Sequence, residues 1–277
     1  FQRVGDLIWA AADQRARGFL IGATAGRTTL SGEGLQHQDG TSHLIASTVP
    51  NCRAYDPAFS GEVAVIVDHG SRRMLEAQHD EFYYLTVTNE NYAQAPLDDD
   101  AHADVIKGMR RFGLRGQEGA TPAVRLLGSG AILREVIAAA DLLAADWDIT
   151  SEIWSVTSFS ELARDARGVE RDAMFGTSNA TQSHVARCLP GDAPVVAASD
   201  YVRAYAQLIA SYVKAPYIAL GTDGFGRSDT RPALRRFFEV DRYHIALAAL
   251  SSIDRAKHTQ ALKRYDIEIG PDAPWNR

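Results

Sequence analysis

Cysteine is scarce: 277 residues carry only Cys52 and Cys188. The two lie far apart and in no metal-binding spacing, which argues against a disulfide scaffold and for a reducing, cytoplasmic compartment. Positive charge is not in excess either. With 29 Lys plus Arg against 35 Asp plus Glu, the formal charge is -6, so no overall field favours nucleic acid, although a local patch stays open. Long apolar runs are missing as well: the longest stretches carry charges or fall short of the roughly 20 residues that a membrane helix needs. Three signatures are also absent. The glycines at 221, 224 and 226 have the wrong intervals for G-x-G-x-x-G, no Walker lysine follows them, and Ser158 and Ser160 lack the G-x-S-x-G elbow.

What is present is enough apolar material for one large core or two ordinary ones, at 45% hydrophobic and 23% charged residues. That composition excludes a disordered chain. The sequence opens on Phe1 and runs directly into FQRVGDLIWAAADQ, with Phe1, Val4, Ile8, Trp9 and Ala12 at helical spacing. No signal-peptide pattern precedes the helix, and the sequence reads as a piece cut from something longer.

Beyond that helix, residues 18–24 read as a short buried strand, and 26–43 as a loop with glycines at 26, 32, 34 and 40. Residues 51–55 lead to an Asp56-Pro57 stop, 58–76 to a helix and 81–90 to a β-rich strand. Helix alternating with strand predicts α/β layers on a mostly parallel sheet. A boundary falls where NYAQAPLDDD and FGLRGQEGATP collect proline, glycine and acidic residues around a short helix. The acidic run suits a solvated surface or a helix start better than a metal site. The expected division is a domain over 1–105, a linker over 106–122 and a second domain over 123–277. The second part carries four candidate strands (123–128, 152–157, 194–198 and 217–221), enough for a doubly wound sheet or a close relative. Its helices are expected at 131–147, 159–171, 200–213, 230–238 and 241–253. The first part has only two or three strands and leaves sheet edges open.

The most polar glycine-rich stretch, SGEGLQHQDGTSH, places Glu33, His37, Asp39 and His43 close together between two apolar segments. Functional loops are often built this way. Metal ligation by His37, His43 and Asp39 has weak support from a six-residue loop spacing. A histidine titrating near neutrality that transfers a proton or hydrogen-bonds a carbonyl, with Asp39 orienting a group beside it, is the stronger chemical reading. A surface loop bonding to its own backbone is the plain alternative. GTDGFGRSDTR (221–231) reads as a strand-to-helix turn capped by Asp229 or Ser228, or else as an interface or ligand edge. The exposed amides of GSGAIL (128–133) suit an anion. TNENY (88–92) either binds something or ends its strand, and Arg164, Asp165, Glu170 and Arg171 suit a salt-bridged solvent or subunit face. Neither cysteine has a local electropositive partner, so covalent catalysis has no support.

Taken together, FQRVGDLIWAAADQRARGFLIG, GRTTLSGEGLQHQDGTSH, AYDPAF, TNENY, LLGSGAILREV, SVTSFSELARD, LGTDGFGRSDTR and FFEVD make the sequence resemble the homodimeric, bacterial type of pyruvate dehydrogenase E1 along essentially its whole length. The resemblance implies an α/β fold: the end of a thiamine-diphosphate pyrimidine-side (middle) domain, followed by a transketolase C-terminal-like domain. It implies thiamine diphosphate and Mg2+ as cofactors of the full-length enzyme, with the main motifs that bind them outside this chain and no metal ligands within it. Residue by residue, His43 is similar in position to the active-site histidine of the E-D-G-x-x-H loop of transketolase-like enzymes, with a role in stabilising or protonating the pyruvate-derived group. Asp39 matches the loop aspartate, and His37 shapes the entrance. Gln38 stands where glutamate is common in the wider pattern.

The implied reaction is decarboxylation of pyruvate and transfer of the two-carbon unit to the lipoyl group of an E2 acetyltransferase, in a complex where a second E1 subunit is the other partner. A related enzyme for a slightly larger 2-oxo acid such as 2-oxobutyrate is the main alternative, since one methylene shifts discrimination by only about 1–3 kcal/mol. The piece alone could also serve as a non-catalytic dimerisation or assembly module.

Overall fold

Short aromatic and β-branched segments in the first part of the chain have the content of buried strands. In the computed structural model, which describes every residue except 2, 24, 33, 178–181, 269 and 271, they pair into one parallel sheet. Strands β1 (Phe19–Ala23), β2 (Cys52–Tyr55) and β3 (Phe82–Val87) lie in the order β1-β3-β2. Helices α1 (Gly5–Asp13), α2 (Ser42–Ala46) and α3 (Ser60–Ser71) connect and cover them, and α3 runs on into a wider π-type turn over Arg72–Glu76. On α1, Ile8 and Ala12 are buried one turn apart, whereas Trp9 is 52% exposed. One residue of helix rotates a side chain by about 100°, so Trp9 cannot share the face of Ile8.

The second sheet has five strands in the order β4-β6-β5-β7-β8: β4 (Met109–Arg115), β5 (Val124–Gly128), β6 (Ser151–Val156), β7 (Val195–Ala198) and β8 (Tyr217–Leu220). All its pairs are parallel except β4 against β6. β4 follows α4 (His102–Lys107), which is preceded by the exposed acidic run Asp98–Asp100, and both elements fall around the stretch expected to be a linker. With three arginines and a glycine, MRRFGLR has no apolar run or alternation to betray it. An edge strand does not need one.

Alternation sorts the central strand onto two faces. Leu126 packs with Val196 and Ile153 under α5 (Leu133–Trp147), α9 (Arg231–Phe237), α10 (Arg242–Ile253) and α11 (Arg255–Arg264). Leu127 packs with Val195 and Ala197 under α6 (Phe159–Phe175), α7 (His184–Cys188) and α8 (Arg203–Ala206). Helix starts carry side-chain caps: Ser158 for α6, Thr230 for α9, Asp241 for α10 and Asp254 for α11. Thr230, rather than Asp229 or Ser228, caps α9, because Asp229 turns its carboxylate onto the Thr230 amide.

The two sheets are tied together by buried polar bonds. The Asp56 amide donates to Thr157 O (2.7 Å), and Ser158 Oγ donates to Ala54 O (2.6 Å). Glu62, fully buried on α3, accepts from Arg110 Nε (2.8 Å) on β4 and from Ser155 Oγ (2.7 Å) on β6. Arg164 belongs to this seam and not to a solvent face, since its guanidinium donates to Pro50 O and Cys52 O.

Candidate functional site

Parallel α/β sheets present their ligand positions at the carboxyl ends of the strands. Here the glycine-rich loop leaving β1 crosses from the first sheet to that end of the second. The Thr28 amide donates to both carboxylate oxygens of Asp200 (3.0 and 3.2 Å), just after β7. The Val202 amide donates to Gly40 O (2.8 Å). Arg27 donates through Nη1 to Gly224 O and is 7% exposed. Two glycines permit this closeness: at Gly26, with φ of +90°, a Cβ would lie 2.1 Å from Asp200 Oδ2, and at Gly40 one would lie 2.0 Å from Arg27 Nε.

Gln38 fastens the other side of the loop. Its carboxamide accepts from the Arg227 amide (2.8 Å) and donates to Arg227 O (2.7 Å). A glutamate there has no proton for the second bond at neutral pH. The 221–231 turn thus serves as an edge for the loop as well as the entry to α9.

Asp39 sets the start of α2. Its Oδ1 accepts from the amides of Thr41 and Ser42 (both 3.0 Å), turning the chain so that His43 points inward one residue later. His43 is fully buried among Tyr84, Tyr201 and Tyr205, with ring centroids 5.0, 4.6 and 5.0 Å away. Burial lowers its pKa to about 3, so it differs from the expected near-neutral titration: without a carboxylate in contact, a dry aromatic box holds the ring uncharged. His37 stays exposed on the short 3-10 turn Leu35–His37, outside this box. Glu33 lies outside the described residues.

Composition gave no warning of the groups that meet His43. Its Nε2 is 2.9 Å from Thr86 Oγ1 at the end of β3. Thr86 Oγ1 donates to Asp56 Oδ1 (2.7 Å), and Asp56 Oδ2 accepts from Ser129 Oγ (2.9 Å), which is also 3.3 Å from Ser199 Oγ. The GSG turn therefore faces an anion, but that anion is the chain's own Asp56 carboxylate, and the Gly130 amide donates to Asp56 O (3.0 Å). Burial raises Asp56 to about 6 and Asp200 to about 7. The signal for Asp56 was its place before Pro57 in AYDP, which reads equally well as a strand stop.

TNENY supplies Glu90, which pairs with Arg134 (2.7 Å) and Arg235. These residues border a cavity of about 860 Å³ in which Arg242 pairs with Glu135 (2.9 Å), away from the loop histidines. Burial pushes both thiols up to about 12, which favours the protonated thiol at Cys52 and at Cys188, whose Sγ lies 3.5 Å from His184 Nε2.

Two α/β units joined at a seam, a three-stranded parallel sheet followed by a five-stranded one, have a transketolase-like fold. Solved transketolases share it: one from Pichia stipitis superposes with a TM-score of 0.67 at 14% identity, covering 92% of this chain and 33% of that one. One from Leishmania mexicana gives 0.64 at 15% identity, covering 96% and 33%. The sequence matches the pyruvate dehydrogenase E1 component middle domain over residues 1–95 and the transketolase-like C-terminal domain over residues 111–241. It is 52% identical to the pyruvate dehydrogenase E1 component of Cupriavidus necator across 99% of its own length. The corresponding Pseudomonas aeruginosa and Escherichia coli K12 proteins are 55% and 47% identical, each across 97% of it. The chain belongs to the pyruvate dehydrogenase E1 component family and spans about a third of the length of those relatives. Among the described residues, no helix is long and apolar enough to cross a membrane.

Proposed function

We propose that this chain forms the seam between the middle and C-terminal domains of a cytoplasmic, homodimeric pyruvate dehydrogenase E1 enzyme. In this reading residues 1–105 end the middle domain, 106–122 join the two and 123–277 form the C-terminal domain. The full-length protein decarboxylates pyruvate and passes the two-carbon unit to the lipoyl group of an E2 partner. The observation that carries the reading is the 52% identity to an E1 component across 99% of the chain.

Thiamine diphosphate with Mg2+ is the cofactor such an enzyme uses, and it supplies the electron sink for decarboxylation. Among the described residues, no group of three or more His, Cys, Asp or Glu is placed to hold a metal ion. The donors in the described residues do not fit the metal-bound diphosphate end. They suit a water-poor reacting end. Among the described residues, His43 Nδ1 is buried in the aromatic box without a protein partner, and an unsatisfied buried polar atom of that kind calls for an explanation.

His43 is the group that faces the substrate-derived oxygen, as an uncharged imidazole. Asp39 orients it through the start of α2, and His37 lies toward the entrance. Water exclusion by Tyr84, Tyr201 and Tyr205 strengthens any hydrogen bond made there. In the full-length enzyme, His43→Ala is expected to lower kcat by about 10²–10⁴-fold while cofactor affinity, measured by titration, changes little. Unchanged turnover would overturn the assignment.

A further inference from the structure

The proton inventory around Thr86 fixes more than proximity. A threonine hydroxyl has one proton and two lone pairs. Two groups that can only accept lie beside Thr86 Oγ1: Asp56 Oδ1 at 2.7 Å and Tyr55 O at 3.3 Å. The carboxylate is closer and charged, and charge-assisted bonds are roughly twice as strong as neutral ones. Asp56 cannot turn away, because Ser129 Oγ holds its other oxygen (2.9 Å) and its backbone is bonded to Thr157 O and the Gly130 amide. The threonine proton therefore goes to Asp56, and both lone pairs of Oγ1 are left to accept.

We infer that Asp56, acting through Thr86, is a positioning residue that holds His43 as the Nε2–H tautomer and leaves Nδ1 as a bare acceptor. Nε2–H donates to Thr86 Oγ1 (2.9 Å), and Nδ1 is the buried ring atom that has no protein partner among the described residues. Which nitrogen of a histidine carries the proton is decided by the bond its other nitrogen makes. The two-residue relay sets that bond from three separate elements: α2 carries His43, β3 carries Thr86, and Asp56 follows β2. The consequence for the chemistry rests on the reading of His43 given above: the histidine receives a hydrogen bond from a substrate-derived hydroxyl instead of donating one to a carbonyl. The tautomer itself does not depend on that reading.

The test uses the full-length enzyme, labelled with ¹⁵N in its histidine rings, with His43 assigned by the signal lost in His43→Ala. Solid-state NMR is expected to show His43 protonated on Nε2 alone. Thr86→Val, close in shape but without the hydroxyl, is expected to put proton density on Nδ1 and to lower kcat at least tenfold with KM little changed. Thr86→Ser, which restores the hydroxyl, is expected to keep the parent ring pattern and most of the rate. A parent ring protonated on Nδ1, or a Thr86→Val ring identical to the parent's, would overturn the relay. A shifted ring pattern with an unchanged rate would leave the relay standing and overturn the placement of His43 against substrate.

Discussion

The two sheets of this molecule solve the same problem to different extents. In the five-stranded sheet the central strand β5 is buried at every position, with helices on both faces, as a parallel sheet requires. In the three-stranded sheet β1 is an edge with an open side, and Leu20 and Ile21 are 38% and 52% exposed. The difference teaches where each unit draws its order. The larger sheet is held by two extensive apolar layers, whereas the smaller one has two smaller apolar clusters, around Phe82 and Tyr84 and around Tyr83 and Leu85, and adds polar bonds across the seam. Those bonds place Glu62, Asp56 and the glycine-rich loop against the larger unit's strands and turns.

The strongest way to break that contrast is to cut a seam bond. In Glu62→Leu the Arg110 guanidinium, with a side chain 7% exposed, loses its carboxylate, and stranding a buried charge costs about 3–5 kcal/mol. Denaturant unfolding is expected to show the smaller unit separating first; a single unshifted transition would mean that the seam is not what orders it. Next comes Leu127→Ala, at the centre of the larger sheet and fully buried, with an expected loss of about 2–5 kcal/mol. A loss below 1 kcal/mol would say that the apolar layers matter less than the burial suggests.

A smaller effect comes from Asp200, whose carboxyl burial lifts to about 7. The folded state then binds its proton more tightly than the unfolded chain. That stabilisation is complete below the ordinary aspartate pKa and is lost as pH rises through about 7. Asp200→Asn removes the dependence. Its thermal stability relative to the parent is therefore expected to improve between pH 6 and pH 8, by about 1 kcal/mol for the unit below pH 7. His43, whose pKa is shifted the opposite way, cancels because both proteins contain it. A difference independent of pH would contradict the shift. The smallest effect is expected for Ile21→Ala, within about 0.5 kcal/mol for an exposed side chain. A larger loss in the full-length protein would show that this edge is covered there.

The same contrast explains what could be read from the sequence. β5 and α5 were legible because a parallel core strand is a continuous apolar run and α5 buries Val136, Ala140 and Leu143 at helical spacing. β4 was not, since an edge strand with Arg110, Arg111 and Arg115 carries no such pattern. α11 hid for a related reason: in RAKHTQALKR only Ala261 is buried. At the candidate site, the closeness of Asp39 to His43 was legible because one turn of chain makes it. Thr86, Asp56 and Ser129 come from other strand ends, and only folding brings them to the ring. Even the charge state of His43 depended on three tyrosines, one of them near in space only through β3 and two after β7.

The way Gln38 reads the backbone of Arg227 in both directions also bears on recombination between relatives. A chimera joined within 106–122 would inherit the glycine-rich loop from one parent and the 221–231 turn from the other. Gln38 bonds to main-chain atoms, so this contact constrains the turn's backbone path and the Gly226 that lets Gln38 approach, while Arg231 adds a side-chain bond to Thr29 O (2.7 Å). Exchangeability of the two halves at this contact is thus governed by loop shape and by one carboxamide, in addition to the seam bonds of Asp56 and Glu62.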